Sequence, residues 1–454
     1  MSEIQQMLIA RQQRVKTQRR RNAEGARPRQ CDVTRSYTDV FADGMWNGRR
    51  CFIVGGGPSL KGFDWSRISK ELVIGVNRVF EFCDPTILFS MDDRYRANIE
   101  NPNRHTWYGL ETLRKFNETP ALKVWKYEKQ PDWPFGPDVL QWACPDPFGF
   151  SGAIVNGLGG GSNSGFGALN FAWLLGANPI YMLGFDMKGD SNGKQAWFHA
   201  GHPDSQQARN IYPKFSEFFG KIAPGIAAEG VRVVNLCRDS ALECFEKGDL
   251  DDVSPVDTPL VVAYYTQGTG YVAEADGLRE SLRPFAGALD HDIVPAQNLG
   301  SWQRNTSHKP RILQALLDAH PGRALLYVDA DARFRRYPIW CDDADVDFAA
   351  HWRDYSEHPS PSRQIGKELL SGTLYLRNTP AVKALVADWA SECDKSSNEW
   401  DQRVLARVLE QHRDKVRVGE LPATYCQIFD LMKNAGDPVI EHMQASRRLR
   451  REIG

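Results

Sequence analysis

Apolar residues fall in short unbroken runs along the first half of the chain. RCFIV (50–54), LVIGV (72–76), TILFS (86–90), PIYMLGF (179–185) and VRVVNL (231–236) read as short buried strands. Between them lie helical or loop segments such as NSGFGALNFAWLLG (163–176). Strands with no polar face that alternate with helices predict a mostly parallel sheet covered on both sides. The stretch EKGDLDDVSPVDTP (246–259) breaks the rhythm: it is acidic, holds two prolines and has no apolar period, so it reads as a linker. A second alternation follows, with strands in PLVVAYYTQG (259–268), HDIVPA (291–296) and ALLYVDAD (324–331), and helices in EADGLRESLRPFAG (274–287) and KPRILQALLDAH (309–320). The pattern predicts an α/β protein of two tandem domains, at 46–248 and 258–454, whose sequences do not repeat one another.

Length supports that division, because 454 residues exceed what one ordinary core accommodates. Residues are 42% apolar and 25% charged, as in soluble globular proteins, and the net charge of −1 gives no overall field toward nucleic acid or membrane. No window is long and apolar enough for a transmembrane helix, and the first residues lack a signal core. The nine cysteines are scattered without a C-x-x-C pair, which suggests reduced thiols and a cytoplasmic location. Charge is uneven, however. ARQQRVKTQRRRNAEGARPRQ (10–30) makes residues 1–45 a basic arm. It reads either as a solvated arm or as one that docks on phosphate, from nucleic acid or another anionic surface.

Candidate chemistry concentrates in ALLYVDADARF (324–334), where a buried strand ends on Asp329 and Asp331. D-x-D alone is weak, since about two chance occurrences are expected in a chain of this length. Asp249/Asp251, Asp290/Asp292, Asp343/Asp345 and Asp345/Asp347 repeat it in polar surroundings. Only the pair at 329 and 331 directly follows a continuous apolar strand. Ligands of open α/β sheets bind outside the carboxyl ends of strands, and side chains two apart on a strand point the same way. Two carboxylates there would face one divalent cation, Mg²⁺ or Mn²⁺; a strand end closed by turn-forming aspartates is the competing reading.

Several segments of this half, in order, resemble the GT-A glycosyltransferases that use nucleotide-sugar donors: LVVAYYTQGTGY (260–271), SHKPRILQALLDAHPGRALLYVDADARF (307–334), LLSGTLYLRNTPAVKALVADW (369–389), EWDQRVLARVL (399–409) and PVIEHMQASRRLR (438–450). The resemblance implies a GT-A nucleotide-diphospho-sugar transferase fold and a metal-dependent glycosyltransferase. By it, Asp329, Asp331 and His442 would hold Mn²⁺ or Mg²⁺, and Tyr265 and Thr266 would line the nucleotide pocket. Lys309 would open a helix of the donor site, and Arg447 would contact the diphosphate. Gly372 would let backbone approach the sugar, and Asp401 would act as the carboxylate beside it. The segments look closer to retaining than to inverting relatives. Asp401 as a helix N-cap and Gly372 as a bulge residue are the alternatives.

In the first half, VGGGPSL (54–60) puts a glycine-rich turn after a strand, where backbone amides can cradle an anion. With VNRVF (76–80), FSMDDRY (89–95), NSGFGALNFAWLLGANPIYMLGFDM (163–187) and VNLCRDSAL (234–242), it resembles the bacterial sialyltransferases of Rossmann-like type and the MptE-like family. The implied architecture is two tandem Rossmann-like α/β domains. Gly55, Gly57, Pro58 and Ser59 would form the nucleotide-phosphate turn, and Asn77, Asp92 and Asp186 would end strands. Ser164 and Gly165 would present a helix N-terminus to the same pocket. His199 and His202, in WFHAGH (197–202), are the candidates for a catalytic base. The resemblance leaves open whether this half is a second nucleotide-using transferase or a module that binds an acceptor or DNA. The acceptor itself (glycan, protein, small molecule or modified DNA) is not specified, and the make-up suggests bacterial or phage origin.

Overall fold

The computed structural model describes residues 35–100, 108–127, 138–190, 194–199, 211–356, 366–395 and 399–453, with the side chains at 93, 94 and 450–453 excepted. The basic stretch 10–30 and His202 lie outside the described residues. The chain divides into two compact units between Ser254 and Pro255, with Pro284–Ala288 grouped with the first. The protein is mixed α/β, with parallel strands in both units.

The first unit is built on an eight-stranded sheet. Its strands are β1 (Cys51–Val54), β2 (Leu72–Val76), β3 (Ile87–Ser90), β4 (Leu122–Lys126), β5 (Val139–Trp142), β6 (Ile180–Leu183), β7 (Val233–Asn235) and β8 (Glu246–Lys247). Every residue of β1, β2, β3, β5 and β6 is buried, as the unbroken apolar runs require. All pairings are parallel, in the order β5-β4-β3-β2-β1-β6-β7-β8. The chain thus winds outward from β1 to one edge and then returns to β1's other side, which opens a crevice between the carboxyl ends of β1 and β6. Helix Ser164–Leu174 is buried on all sides after its first residue, and the Asn163 side chain caps it by accepting the Phe166 amide at 2.8 Å. The stretch 246–259, read as linker, contributes β8 to this sheet and a 3₁₀ turn at Leu250–Asp252. An edge strand needs few apolar residues, which is why its pattern escapes a hydropathy reading.

The second unit carries a six-stranded sheet of β9 (Leu260–Thr266), β10 (His291–Ala296), β11 (Leu325–Val328), β13 (Phe348–Asp354), β14 (Lys367–Leu376) and β15 (Val418–Glu420). Their order is β10-β9-β11-β14-β13-β15, and β14 alone runs antiparallel to its neighbours. Helices Lys309–Ala319, Pro380–Lys395 and Asp401–Gln411 supply Leu313, Leu317, Leu385, Trp389, Val404 and Leu405 to one core with Leu325, Tyr327 and Leu374 of the sheet. A small second sheet joins β12 (Ala332–Phe334), β16 (Gln427–Ile428) and β17 (Ile440–His442) in the order β12-β17-β16. No helix among the described residues is long and apolar enough to cross a membrane. Cys51, Cys83, Cys237, Cys244, Cys341, Cys393 and Cys426 are free thiols.

Candidate functional site

Strand β11 stops at Val328, and the chain turns at once: the Ala332 amide donates to the Asp329 carbonyl at 2.9 Å, and β12 begins. Asp329 and Asp331 therefore come together through a tight turn, rather than through the side-chain alternation of an extended strand. In β17, His442 pairs with Ala332 across an antiparallel ladder, which delivers its imidazole to the same turn. The ligand atoms of Asp329, Asp331 and His442 lie within 4.8 Å of one another, the only such group found among the described residues.

The two carboxylates are held differently. Asp329 is 42% exposed and accepts the Tyr327 hydroxyl at 2.7 Å. Asp331 is buried; its Oδ2 accepts the Ala445 amide at 2.7 Å, and its Oδ1 lies 3.5 Å from Nδ1 of His442. Burial opposes its ionisation, yet the hydrogen bond and charge of His442, the Ala445 amide and Arg333 prevail and hold the carboxyl below its ordinary range. His442 is buried, with Nε2 2.8 Å from the Thr373 hydroxyl. Burial disfavours its charge, but Cys426 and Asp331 outweigh burial and raise its pKa.

This turn forms one wall of a cavity of about 320 Å³. Tyr265 and Thr266, at the end of β9, line it as well. A buried cation crosses its floor: Lys309 Nζ lies 3.1 Å from Asp401, 3.3 Å from Asp329, and 3.2 and 3.1 Å from the carbonyl and hydroxyl of Ser371. Burial works against the ammonium charge, and Asp329 and Asp401 more than offset it, so its pKa is raised. Asp401 is the first residue of its helix; Trp400 holds the N-cap position, and no side chain caps there. The Asp401 carboxylate instead accepts from Lys309 and from the Ser371 hydroxyl at 3.1 Å. Gly372 sits against the triad, where a Cβ would come within 3.2 Å of His442 Cε1 and 3.3 Å of Asp329 Oδ2. The β13–β14 register passes from Ala349 opposite Tyr375 to His351 opposite Leu370, so Gly372 lies inside the irregular stretch of β14, and the bulge and the close approach both bear on this glycine.

Arg447 is not among the residues lining this cavity and is ion-paired with Asp430. The other D-x-D aspartates have ordinary partners. Asp249 caps a 3₁₀ turn, Asp290 pairs with Arg323, Asp292 with His320, and Asp345 and Asp347 with Arg417. Among the cavity residues that the sequence did not single out are Gln402, Glu368, Trp400 and Gln444. Gln402 adjoins Asp401 in the helix start already noted, and that was the one available signal. Gln444 has φ 53°, a left-handed conformation rare outside glycine.

A cavity of about 140 Å³ lies at the β1/β6 crevice of the first unit. Gly55, Gly57, Asn77, Ser164, Gly165 and Asp186 line it; Pro58, Ser59, Asp92 and His199 do not. Asn77, with φ 58°, accepts the Ser90 hydroxyl at 2.8 Å. At Gly57 a Cβ would stand 1.9 Å from Asp186 Oδ2 and 2.6 Å from the Gly184 carbonyl. The Asp186 carboxylate accepts the Ser59 amide at 3.0 Å and hydroxyl at 2.8 Å. Those donors, expected to cradle a phosphate, are thus engaged by the protein's own anion. Asp92 caps a helix by accepting the Tyr95 amide, and Ser164 accepts the Met91 amide. His199 packs against Phe82 and Phe198.

Residues 296–447 match the nucleotide-diphospho-sugar transferase family. No match was found among curated protein sequences. Among solved structures, a glycosyltransferase involved in glycosylation of the major capsid of PBCV-1 is 13% identical, covering 41% of this chain and 93% of its own, with a TM-score of 0.33. The galactosyltransferase LgtC, solved with donor and acceptor sugar analogues, is 13% identical over 40% of this chain and 86% of its own, TM-score 0.29. The glycosyltransferase GlyE of Streptococcus pneumoniae TIGR4 is 14% identical over 41% of this chain and 55% of its own, TM-score 0.28. The family match covers the Asp329–Asp331 turn, Asp401 and His442 together, and on it the second half of the chain carries a glycosyltransferase domain.

Proposed function

We propose that the second unit is a metal-dependent glycosyltransferase of GT-A fold that moves a sugar from a nucleotide-diphosphate sugar to an acceptor hydroxyl. The observation that carries this is the meeting of Asp329, Asp331 and His442 in the wall of a cavity whose floor holds Lys309 and Asp401. Two carboxylates and an imidazole suit Mn²⁺ or Mg²⁺, and the bare backbone at Gly372 leaves room beside them. Once bound, the cation would supply Lewis-acid stabilisation of the charge left on the diphosphate.

The chain's own residues would do the rest. Tyr265 and Thr266 would hold the nucleotide at the end of β9. Lys309 fixes the Asp401 carboxylate facing the cavity, where it would orient the donor sugar. A thermal-shift screen of nucleotide sugars with and without Mn²⁺ tests the reading: one donor should stabilise the protein only with the metal. No donor raising the midpoint would overturn it.

For the first unit we propose a Rossmann-like nucleotide-using domain. The crevice between β1 and β6, with Asn77 held at positive φ in its lining, supports that reading. The tie between Asp186 and Ser59 directs a ligand toward Asn77, Ser164 and Gly165 rather than onto the amide of Ser59. Protection of this unit from hydrogen exchange by a nucleotide, lost in Asn77→Ala, is the expected result; the absence of protection would refute it.

A further inference from the structure

Four carboxylates line the cavity of the second unit, and three are accounted for. Asp329 and Asp331 face His442, and Asp401 is bound to Lys309 and Ser371. Glu368 stands apart from both groups. Its side chain is 18% exposed, its Oε1 accepts the Gln402 side-chain amide at 2.9 Å, and the guanidinium of Arg403 approaches only to 4.0 Å. Beside it the lining turns apolar. Trp400 is 47% exposed and Leu431 is 51% exposed, and Tyr355 joins them. An indole left half in water at the edge of a polar cavity leaves apolar area that a ligand would cover. Arg403 lies over the Trp400 ring at 5.6 Å and covers it from that side, so a ligand would take the exposed remainder of the indole.

The chemistry narrows the occupant. An ionised carboxylate only accepts hydrogen bonds, so the ligand beside Glu368 must present donors. Glu368 brings its own negative charge to this end of the cavity and disfavours an anionic group beside it. A serine or threonine side chain is too small to cover an indole. A pyranose ring has an apolar C–H face for the indole and hydroxyls at its edge for the carboxylate.

We propose that the acceptor is a neutral sugar ring, which lies on the exposed part of the Trp400 indole and donates hydroxyl hydrogen bonds to Glu368. This deepens, and rests on, the glycosyltransferase reading above. Gln402 then serves as a positioning residue: its amide holds the carboxylate, while its carbonyl oxygen lies 3.4 Å from the Ser371 amide.

The test titrates probes into the full-length protein with Mn²⁺ present, followed by saturation-transfer NMR. The probes are methyl glycosides of glucose, galactose, mannose and N-acetylglucosamine, together with methyl glucuronide, thymidine and N-acetyltyrosinamide. At least one neutral glycoside should bind, with the strongest saturation on the C–H protons of one ring face. Trp400→Ala should weaken it about tenfold, the scale of one stacked contact, and Trp400→Phe should retain most of the affinity. Glu368→Gln should narrow the discrimination against methyl glucuronide, which a merely structural role would leave unchanged. If Trp400→Ala fails to fold, the Phe and Gln variants decide the question. The proposal is overturned if no neutral glycoside binds, if thymidine or N-acetyltyrosinamide binds better, if Trp400→Ala binds as the wild type does, or if Glu368→Gln leaves the discrimination against methyl glucuronide unchanged. A neutral glycoside that binds at Trp400, without any Mn²⁺-dependent donor stabilisation, would remove the transferase reading and leave this site standing.

Discussion

Oδ1 of Asp331 lies 3.5 Å from Nδ1 of His442 because β12 and β17 pair with Ala332 opposite His442. The ladder therefore sets the geometry of the candidate cation site. Asp331 also accepts the Ala445 amide, so its carboxylate ties the β11–β12 turn to the segment after β17.

Asp331→Ala should abolish Mn²⁺-dependent stabilisation by donor and all donor hydrolysis. It should also destabilise the metal-free protein by about 1–3 kcal/mol, because it leaves a buried amide and a buried imidazole without their partner. Asp329→Ala should cost the same metal binding with a smaller loss of stability, since the Asp329 side chain is 42% exposed where that of Asp331 is buried. Paired urea denaturation and Mn²⁺ titration separate the two effects. Equal stability losses in both variants would contradict the structural asymmetry.

Lys309 is a buried ammonium between two carboxylates: removing it leaves the buried Asp401 without its cation, and removing Asp401 leaves the ammonium with Asp329 alone. Lys309→Met and Asp401→Leu should each cost about 3–5 kcal/mol. The double variant should cost less than the sum of the two, by a coupling on the order of 0.5–3 kcal/mol. The double-mutant cycle in urea unfolding measures that coupling, and strict additivity would show that the pair does not act as a unit.

Much of this arrangement was legible in the chain, for reasons that differ by residue. Buried parallel strands show as continuous apolar runs, so β1, β2, β3, β6 and β11 stood out. The D-x-D pair stood out because a buried strand stops there, although a turn and not strand alternation brings the two carboxylates together. Other relations form only on folding. Nothing local shows that Glu368 meets Gln402, that Asp186 reaches back to Ser59, or that Asp401 answers Lys309 instead of capping its helix. The antiparallel insertion of β14 between parallel-running strands was equally hidden, because period and composition do not encode strand direction.

Two glycines should respond differently to alanine. At Gly57 the new Cβ would overlap Asp186 Oδ2 and the Gly184 carbonyl, so the turn must move, at a cost of about 1–3 kcal/mol. At Gly372 the nearest atoms lie at 3.2 and 3.3 Å, which is tight without overlap. Gly372→Ala should therefore leave stability nearly unchanged while lowering Mn²⁺ affinity, since the crowded atoms belong to His442 and Asp329. Thermal unfolding of both variants, with Mn²⁺ titration of the second, checks the contrast. A large stability loss at Gly372 would mean that its neighbours cannot yield.

Stability at alkaline pH follows from the buried thiol of Cys393 and the partly buried thiols of Cys83 and Cys244. Burial pushes Cys244 up to about 11, and Cys83 and Cys393 up to about 12, from an ordinary value near 9.0. Between pH 9 and 12 the unfolded chain has released these protons while the folded chain still holds them. The unfolded state then binds fewer protons, so unfolding becomes easier as pH rises through this window. Below pH 8 the three thiols are protonated in both states and contribute no slope. Urea midpoints should therefore fall from pH 9 upward, and replacing the three cysteines with alanine should flatten that fall. In the native protein at pH 8 iodoacetamide should leave the buried Cys393 unmodified and react with the partly exposed Cys83 and Cys244 more slowly than in urea. Rapid alkylation of Cys393 in the native state would contradict the burial on which the argument rests.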